Sequence, residues 1–331
     1  MYDWGMPDVI RRRPRLPAVR GGLAVVVAAS ACLVSCTGDE PVAERDAPRS
    51  TGSTTPPVAS GAPASPSVAV TPDAEPTLEL KAPAVRRPVV LADQLVLATR
   101  TVRRGPPTDD AVRRAAEFQQ VALRALAIRP AELRRRVLAA LPAGTASIAR
   151  AGVAAARELN ALSDPQPQLP SWRIVAPPAP DVLRAHYRAA QRRTGVPWTY
   201  LAAIHLVETR MGRIRGTSTA GAKGPMQFLP STWDVYGAGG DINDPGDAIM
   251  AAARLLKANG APQDMAEALW HYNPSDRYVR AVTEYARTIQ RFDFAYHGYW
   301  HWRVLYRHER GTYLLPVGYP RTRAVLLADR Q

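Results

Sequence analysis

Apolar residues recur at helical spacing in two long stretches, from about residue 89 to 163 and from about 180 to 291. In the first, a helix is expected to begin at Asp109-Asp110 with Thr108 as its cap. A side-chain oxygen there accepts unpaired backbone N–H groups, and acids suit the positive end of the helix. A second is expected from Pro130 through Leu133, Val137 and Leu141, and a third from a Thr145 cap to near Leu162. The segment Ser163-Asp164-Pro165-Gln166-Pro167 breaks the period. Beyond it the pattern predicts a helix after Pro180-Asp181, an apolar helix from Trp198 through Glu208 that stops at Gly212, and a short one started by Ser231 or Thr232. Helices follow from about 245 to 259, 263 to 272 and 275 to 291. Asp244 before Pro245 reads as an N-cap with proline at the first helical position. Ser275 caps the last of these, whose stripe is Tyr278, Val282, Tyr285 and Ile289. The period then shortens to two, and residues 302–306 and 312–317 are expected to pair as a β-hairpin around Glu309-Arg310-Gly311. The chain is thus mainly α with one short hairpin.

Residues 37 to about 87 carry no such period. They are rich in Pro, Ala, Ser and Thr, cannot bury enough apolar surface to fold, and read as a flexible tether. Before them, Arg11, Arg12, Arg13, Arg15 and Arg20 precede an apolar run from Leu23 to Val34. That run is short for a bilayer span and matches the core of a signal peptide. It ends in Leu33-Val34-Ser35-Cys36, a bacterial lipobox pattern in which Cys36 becomes the lipid-modified first residue. The alternative is an ordinary secretory signal with an incidental cysteine. Both readings export the protein, and the lipobox favours attachment to the outer face of the membrane, in the cell-wall space. Cys32 and Cys36 are the only cysteines, so the body of the protein has neither a disulfide nor a thiol nucleophile. A formal net charge of +14 suits anionic polymers, in which cell walls are rich. No zinc spacing, recognition-helix signature or RNA-binding aromatic motif accompanies it, so nucleic acid is not an expected partner.

The candidate chemistry centres on Glu208. At helical spacing it shares a face with Leu201, Ile204 and Met211. A carboxylate on an apolar face is costly to ionise, which keeps a proton available near neutral pH, as a general acid requires. The competing reading is a buried Glu tied to a local Arg. A polar, glycine-rich loop follows, Ser218 through Phe228, in which Gln227 can both donate and accept hydrogen bonds. Further on, Tyr272-Asn273 places a phenol and an amide at a helix end.

Glu208-Thr209, the loop from Ser218 to Gln227 and the pair Tyr272-Asn273 resemble, in order and spacing, the lytic transglycosylase family of lysozyme-like murein-cleaving enzymes. In that family a Glu followed by Ser or Thr precedes a Ser-x-x-Gly-Ala-x-Gly-x-Met-Gln loop and then a Tyr-Asn pair. The resemblance covers about residues 172 to 290. It implies a lysozyme-like catalytic domain, peptidoglycan glycan strands as the partner, and Glu208 as the single catalytic acid and base. It implies that Tyr272 hydrogen-bonds near Glu208, and that Gln227, Met226, Asn273 and Ser218 line the muramic-acid subsite. The sequence departs from the pattern at His271, where Ala is frequent, and at Met211, where an aromatic is frequent. The stretch from Gly239 to Pro245 lacks the ligand ladder of a calcium loop, so no metal and no cofactor are expected.

The expected organisation is a signal peptide over 1–35, a tether over 36–87, a helical module over 88–165, the catalytic domain over 170–292 and an aromatic extension over 293–331. The module either packs on the catalytic domain, the favoured reading, or binds a partner such as a cell-wall or division protein. The aromatics of the extension either pack the hairpin onto the core, again favoured, or add a glycan subsite. Hydrolytic glycosidases usually need two carboxylates, and no Asp or Glu lies between Glu208 and Gln227. A one-carboxylate reaction is therefore the economical reading, and the resemblance implies that it closes a 1,6-anhydro ring on N-acetylmuramic acid. Two rivals stand beside it. One is a hydrolytic muramidase in which Asp241 or Asp247 directs a water. The other is a cell-wall-binding lipoprotein without catalysis, which retention of Glu208, Gln227, Tyr272 and Asn273 disfavours.

Overall fold

The computed structural model describes residues 87–106 and 108–327. The expected signal peptide, Cys36 and the tether up to residue 86 lie outside the described residues.

Four helices occupy the N-terminal part: α1 (Pro88–Arg104), α2 (Asp110–Ala127), α3 (Ala131–Ala139) and α4 (Ala143–Asn160). Three were expected, and the addition is α1, which buries Leu91, Leu95, Ala98 and Val102 along one face. The cap of α2 is Asp109 and not Thr108, its carboxylate accepting the Ala111 N–H. The first turn of α4 starts at Pro142, whose carbonyl accepts the Ala146 N–H at 2.8 Å, three residues before the expected Thr145 cap.

There follow β1 (Arg173–Ile174), α5 (Pro180–Thr194), α6 (Trp198–Thr209), β2 (Ile214–Arg215), α7 (Pro230–Tyr236), α8 (Pro245–Ala258), α9 (Met265–Tyr272), α10 (Asp276–Arg291) and α11 (Phe294–Trp300). Asp244 caps α8 through the Asp247 N–H, and Ser275 caps α10. Helix α6 is central: ten of its twelve residues are buried, so its sequence is apolar all round and not striped. It packs on α5, α8, α10 and α11.

The chain closes with β3 (Val304–His308), β4 (Gly311–Leu315) and β5 (Val325–Leu326), a three-stranded antiparallel sheet in sequence order. The hairpin is shifted from the expected ranges, with Val304 opposite Leu315 and His308 opposite Gly311 across the Glu309-Arg310 turn. Gly311 closes that turn at φ 124, which a side chain would resist. The third strand is two residues long, too short to carry a period. The sheet buries Val304, Tyr306 and Leu315 against Trp172, Ile174 and Tyr319.

The N-terminal helices are not a separate body. Helix α4 packs on α10, α11 packs on α1 and α2, and one continuous apolar core runs through both halves. A polar clamp adds to this at the start of β3. Arg303 donates to the fully buried carboxylate of Glu117 at 2.9 Å. Its backbone N–H donates to Gln120 Oε1 and its carbonyl accepts from Gln120 Nε2, both at 2.8 Å. The linker is stitched to the same sheet, since Gln166 N–H donates to the Arg307 carbonyl and Arg307 donates to the carbonyls of Asn160 and Ser163.

Removing one member of a buried ion pair costs about 3–5 kcal/mol because the other charge stays behind. Glu117→Ala is expected to fall at about 3 kcal/mol, the low end of that range, since Arg303 is partly exposed and can recover water. Urea unfolding checks this. A loss below about 1 kcal/mol would mean that the clamp does not hold the sheet.

Candidate active site

Glu208 stands in the last turn of α6, 5% exposed. The helix was expected to continue to Gly212 but ends at Thr209. Arg210, Met211 and Gly212 follow with φ of 54, 60 and 83, three successive left-handed residues. Two of them carry side chains, and such positions cost about 1–3 kcal/mol each unless the surroundings fix them. Here they are fixed. Thr209 Oγ1 accepts the Gly212 N–H at 3.1 Å and donates to the Pro225 carbonyl at 2.6 Å. Met211 is fully buried, and its sulfur accepts a hydrogen bond from the Tyr187 hydroxyl at 3.4 Å. The same hydroxyl lies 2.7 Å from Nδ1 of His205. Burial pushes His205 down to about 3, so the imidazole beneath the turn is neutral.

The carboxylate of Glu208 accepts a hydrogen bond from the Tyr278 hydroxyl at 2.7 Å. The expected donor was Tyr272, but that hydroxyl donates to the Met226 carbonyl at 2.5 Å. The two tyrosine rings stack nearly parallel, 6.3 Å apart. Burial, then the neighbouring Glu208 charge, raises both phenols well above their ordinary range, so both remain protonated donors. Tyr278 was legible only as one apolar position of the α10 stripe.

The Gln227 loop is closed by reciprocal backbone hydrogen bonds between Lys223 and Phe228, at 2.8 and 2.9 Å. Gln227 takes φ 50. Its Nε2 donates to the Gly224 carbonyl at 2.9 Å, while its Oε1 accepts from no group among the described residues. Ser218 braces the start of the loop, its Oγ accepting the Ala222 N–H at 3.0 Å.

One cavity brings these segments together. Its wall includes Glu208, Gln227 and Tyr278, with Trp172, Tyr306, Arg124, Arg210 and Arg307. Of the expected site residues, Glu208 and Gln227 reach this wall. Met226, Tyr272, Asn273 and Ser218 are buried and are not among its lining residues. Asn273 is 2% exposed, and its Nδ2 has no hydrogen-bond partner among the described residues. His271 faces outward and meets Glu267 at 3.1 Å. Tyr306, from the sheet, stands edge-on to Trp172 at 5.7 Å, so the extension packs on the core and also supplies cavity wall.

Asp241 and Asp247 are absent from the wall. The Asp247 carboxylate accepts the Asp241 N–H and the Asp241 carboxylate accepts the Asn243 N–H, so both are spent on loop geometry. The other acid in the wall is Asp164, an exposed residue of the linker. Among the described residues no three His, Cys, Asp or Glu side chains cluster as metal ligands, and no helix is long and apolar enough to cross a membrane.

The profile of the family described as Transglycosylase SLT domain matches residues 186–293. The chain carries a lytic transglycosylase domain. Such domains are lysozyme-like and helical and belong to peptidoglycan lytic transglycosylases, enzymes whose substrate is the cell wall outside the cytoplasm. No curated protein and no solved structure matches the chain. The matched transglycosylase segment contains Glu208, the Gln227 loop and Tyr278, whereas Arg124, Tyr306 and Arg307 come from outside it.

The loop allows a sharp test. A Cβ on Gly224 would sit 1.9 Å from the Ile242 carbonyl oxygen, at φ +75. Gly221 has a similar φ of +84 but open space around it. Gly224→Ala is expected to abolish turnover on peptidoglycan and lower the thermal midpoint. Gly221→Ala should cost only the backbone strain of about 1 kcal/mol.

Proposed function

We propose that the enzyme cleaves the β-1,4 bond between N-acetylmuramic acid and N-acetylglucosamine and leaves a 1,6-anhydro-muramic end, with Glu208 as both acid and base. The observation that carries this reading is the buried Glu208 carboxyl, held by the Tyr278 hydroxyl in a cavity whose only other acid is a linker residue. The Tyr278 hydroxyl donates to this carboxyl, and the Arg210 guanidinium is close enough to interact with its charge.

In the first step Glu208 protonates the oxygen leaving C1 of the muramic residue, and the bond to that oxygen breaks. The acetamido group of the same sugar stabilises the positive charge on C1. Ionised Glu208 then takes the proton of the C6 hydroxyl, whose oxygen bonds to C1 and closes the anhydro ring. The carboxyl ends protonated, as it began. Gln227 offers its free Oε1 to a sugar hydroxyl or acetamido N–H. Tyr272 and Met226 hold Tyr278 and the Gln227 loop in place, and Ser218 braces the start of that loop. On the sequence pattern we further propose export, lipidation at Cys36 and a tether that lets the anchored domain of 170–292 reach the wall. Because Asp164 shares the cavity, a hydrolytic muramidase with Asp164 directing a water is the second reading.

A soluble form beginning at Thr37 is expected to release anhydro-muramic ends from purified peptidoglycan, read by mass spectrometry, and Glu208→Gln to release none. Reducing muramic ends would mean that water attacks, and Asp164→Asn would then be the next variant. Tyr278→Phe removes a hydrogen bond to a charged group and is expected to lower kcat about tenfold or more. Its pH–rate profile should move, whereas Tyr272→Phe should leave that profile nearer the wild type.

A further inference from the structure

Three arginines from three parts of the chain converge on the cavity that holds Glu208: Arg124 of α2, Arg210 of the left-handed turn and Arg307 of β3. Arg124 and Arg307 have no carboxylate partner among the described residues, and Arg210 lies within range of the Glu208 charge alone, so three cations share one buried acid there. Arg210 donates to the Leu206 carbonyl, and Arg307 to the carbonyls of Asn160 and Ser163. Arg124 makes neither a hydrogen bond nor an ion pair with any described residue, while it lines the cavity. Burial, then Arg210 and Arg307 nearby, pushes it down to about 10. Gathering like charges in a poorly hydrated site costs free energy unless an anion completes it.

A second depression adjoins the first through shared wall residues. Arg124, Arg307, Asn160 and Leu305 belong to both walls, and the second continues along Val121 and Ile128. Arg124 and Arg307 therefore stand at the junction between the Glu208 cavity and a partly apolar groove lined by α2 and the sheet.

We propose that Arg124, Arg210 and Arg307 form a carboxylate-binding subsite that selects glycan strands still bearing their acidic peptide stems. This rests on the reading of Glu208 as the group acting on muramic acid. The stem hangs from the lactyl group of that same sugar, so it leaves the reacting ring beside the arginines. Guanidinium groups pair with carboxylates in a planar, bidentate fashion, which a hydroxyl-rich sugar does not reward. The apolar side of the second groove suits the alanine residues between the acids.

The test uses glycan strands with free stem carboxylates, the same strands with those carboxylates amidated, and strands stripped of stems. Wild-type kcat/KM is expected to be highest for the free carboxylates. In Arg124→Gln the ratio of kcat/KM on stem-bearing over stripped strands should fall about tenfold or more, the size of a charged hydrogen bond, and Arg124→Lys should restore part of it. Binding of a disaccharide-peptide to the Glu208→Gln protein, measured by calorimetry, gives an arm that needs neither turnover nor a folded arginine variant. The free acid should bind about tenfold tighter than its amide. Equal binding of acid and amide, with an unchanged kinetic ratio, overturns the subsite. So does an Arg124→Gln protein that loses affinity for a phosphodiester polymer but not for the disaccharide-peptide. Anhydro ends released without regard to the stem defeat the subsite alone, whereas absence of cleavage defeats the reading of Glu208 and leaves the binding arm to decide the subsite.

Discussion

A carboxyl group at the end of a helix buried on every side is expensive in either protonation state unless its surroundings are arranged for both. Glu208 is in that position, and much of the domain is arranged around it. The Tyr278 hydroxyl reaches it from α10. Tyr278 is in turn stacked on Tyr272, whose own hydroxyl is committed to the Met226 carbonyl. The second tyrosine therefore fixes the first, and also fixes the loop that presents Gln227. Thr209 closes the circle by donating to the Pro225 carbonyl of that loop. A displacement at any of these positions is transmitted to the carboxyl through hydrogen bonds of fixed length and not through soft apolar contact.

The helix must also stop in the right place. Left-handed residues at Arg210 and Met211 are tolerated because Met211 is locked in the core and its sulfur meets Tyr187. Had the helix run on to Gly212, Arg210 would have stayed on the helical surface and Met211 on the stripe of Ile204. The turn sends the guanidinium of Arg210 into the cavity and starts β2, whose pairing with β1 brings Trp172 to the opposite wall. The strain beside the carboxyl thus shapes the cavity.

Most of the fold was legible because helical period, caps and breakers are local. The starts of α5, α8 and α10 follow from Pro180, Asp244 and Ser275. What was not legible came from distance along the chain. Glu208 and the Gln227 loop stood out because their motifs resemble those of a known family, and both line the cavity. Tyr278 did not stand out, since on the α10 stripe it is indistinguishable from Tyr285, and both are buried. Arg124 carried no signal of its own in the sequence, and Tyr306 read as one more packing aromatic. Only the Glu117 clamp and the stitching of the linker, which fold the sheet over α2 and α4, bring these two beside Glu208.

That dependence explains why the chain holds more than the matched transglycosylase segment. Residues 186–293 supply the acid, the tyrosine and the amide, but two sides of their cavity come from elsewhere. Helix α2 contributes Arg124 from before the segment, and β3 contributes Tyr306 and Arg307 from after it. The two flanks are joined to each other by the Glu117–Arg303 pair and the Gln120 hydrogen bonds, so neither is set independently. The buried charge is costly as a stabilising device, since an apolar pair of the same volume often does as well. It has a directional value that an apolar pair lacks. Glu117 accepts only where Arg303 can reach it, which fixes the register of β3 against α2. Register in a strand decides which face each side chain takes. A slip of one residue would turn Tyr306 out of the cavity wall and put its neighbours in its place.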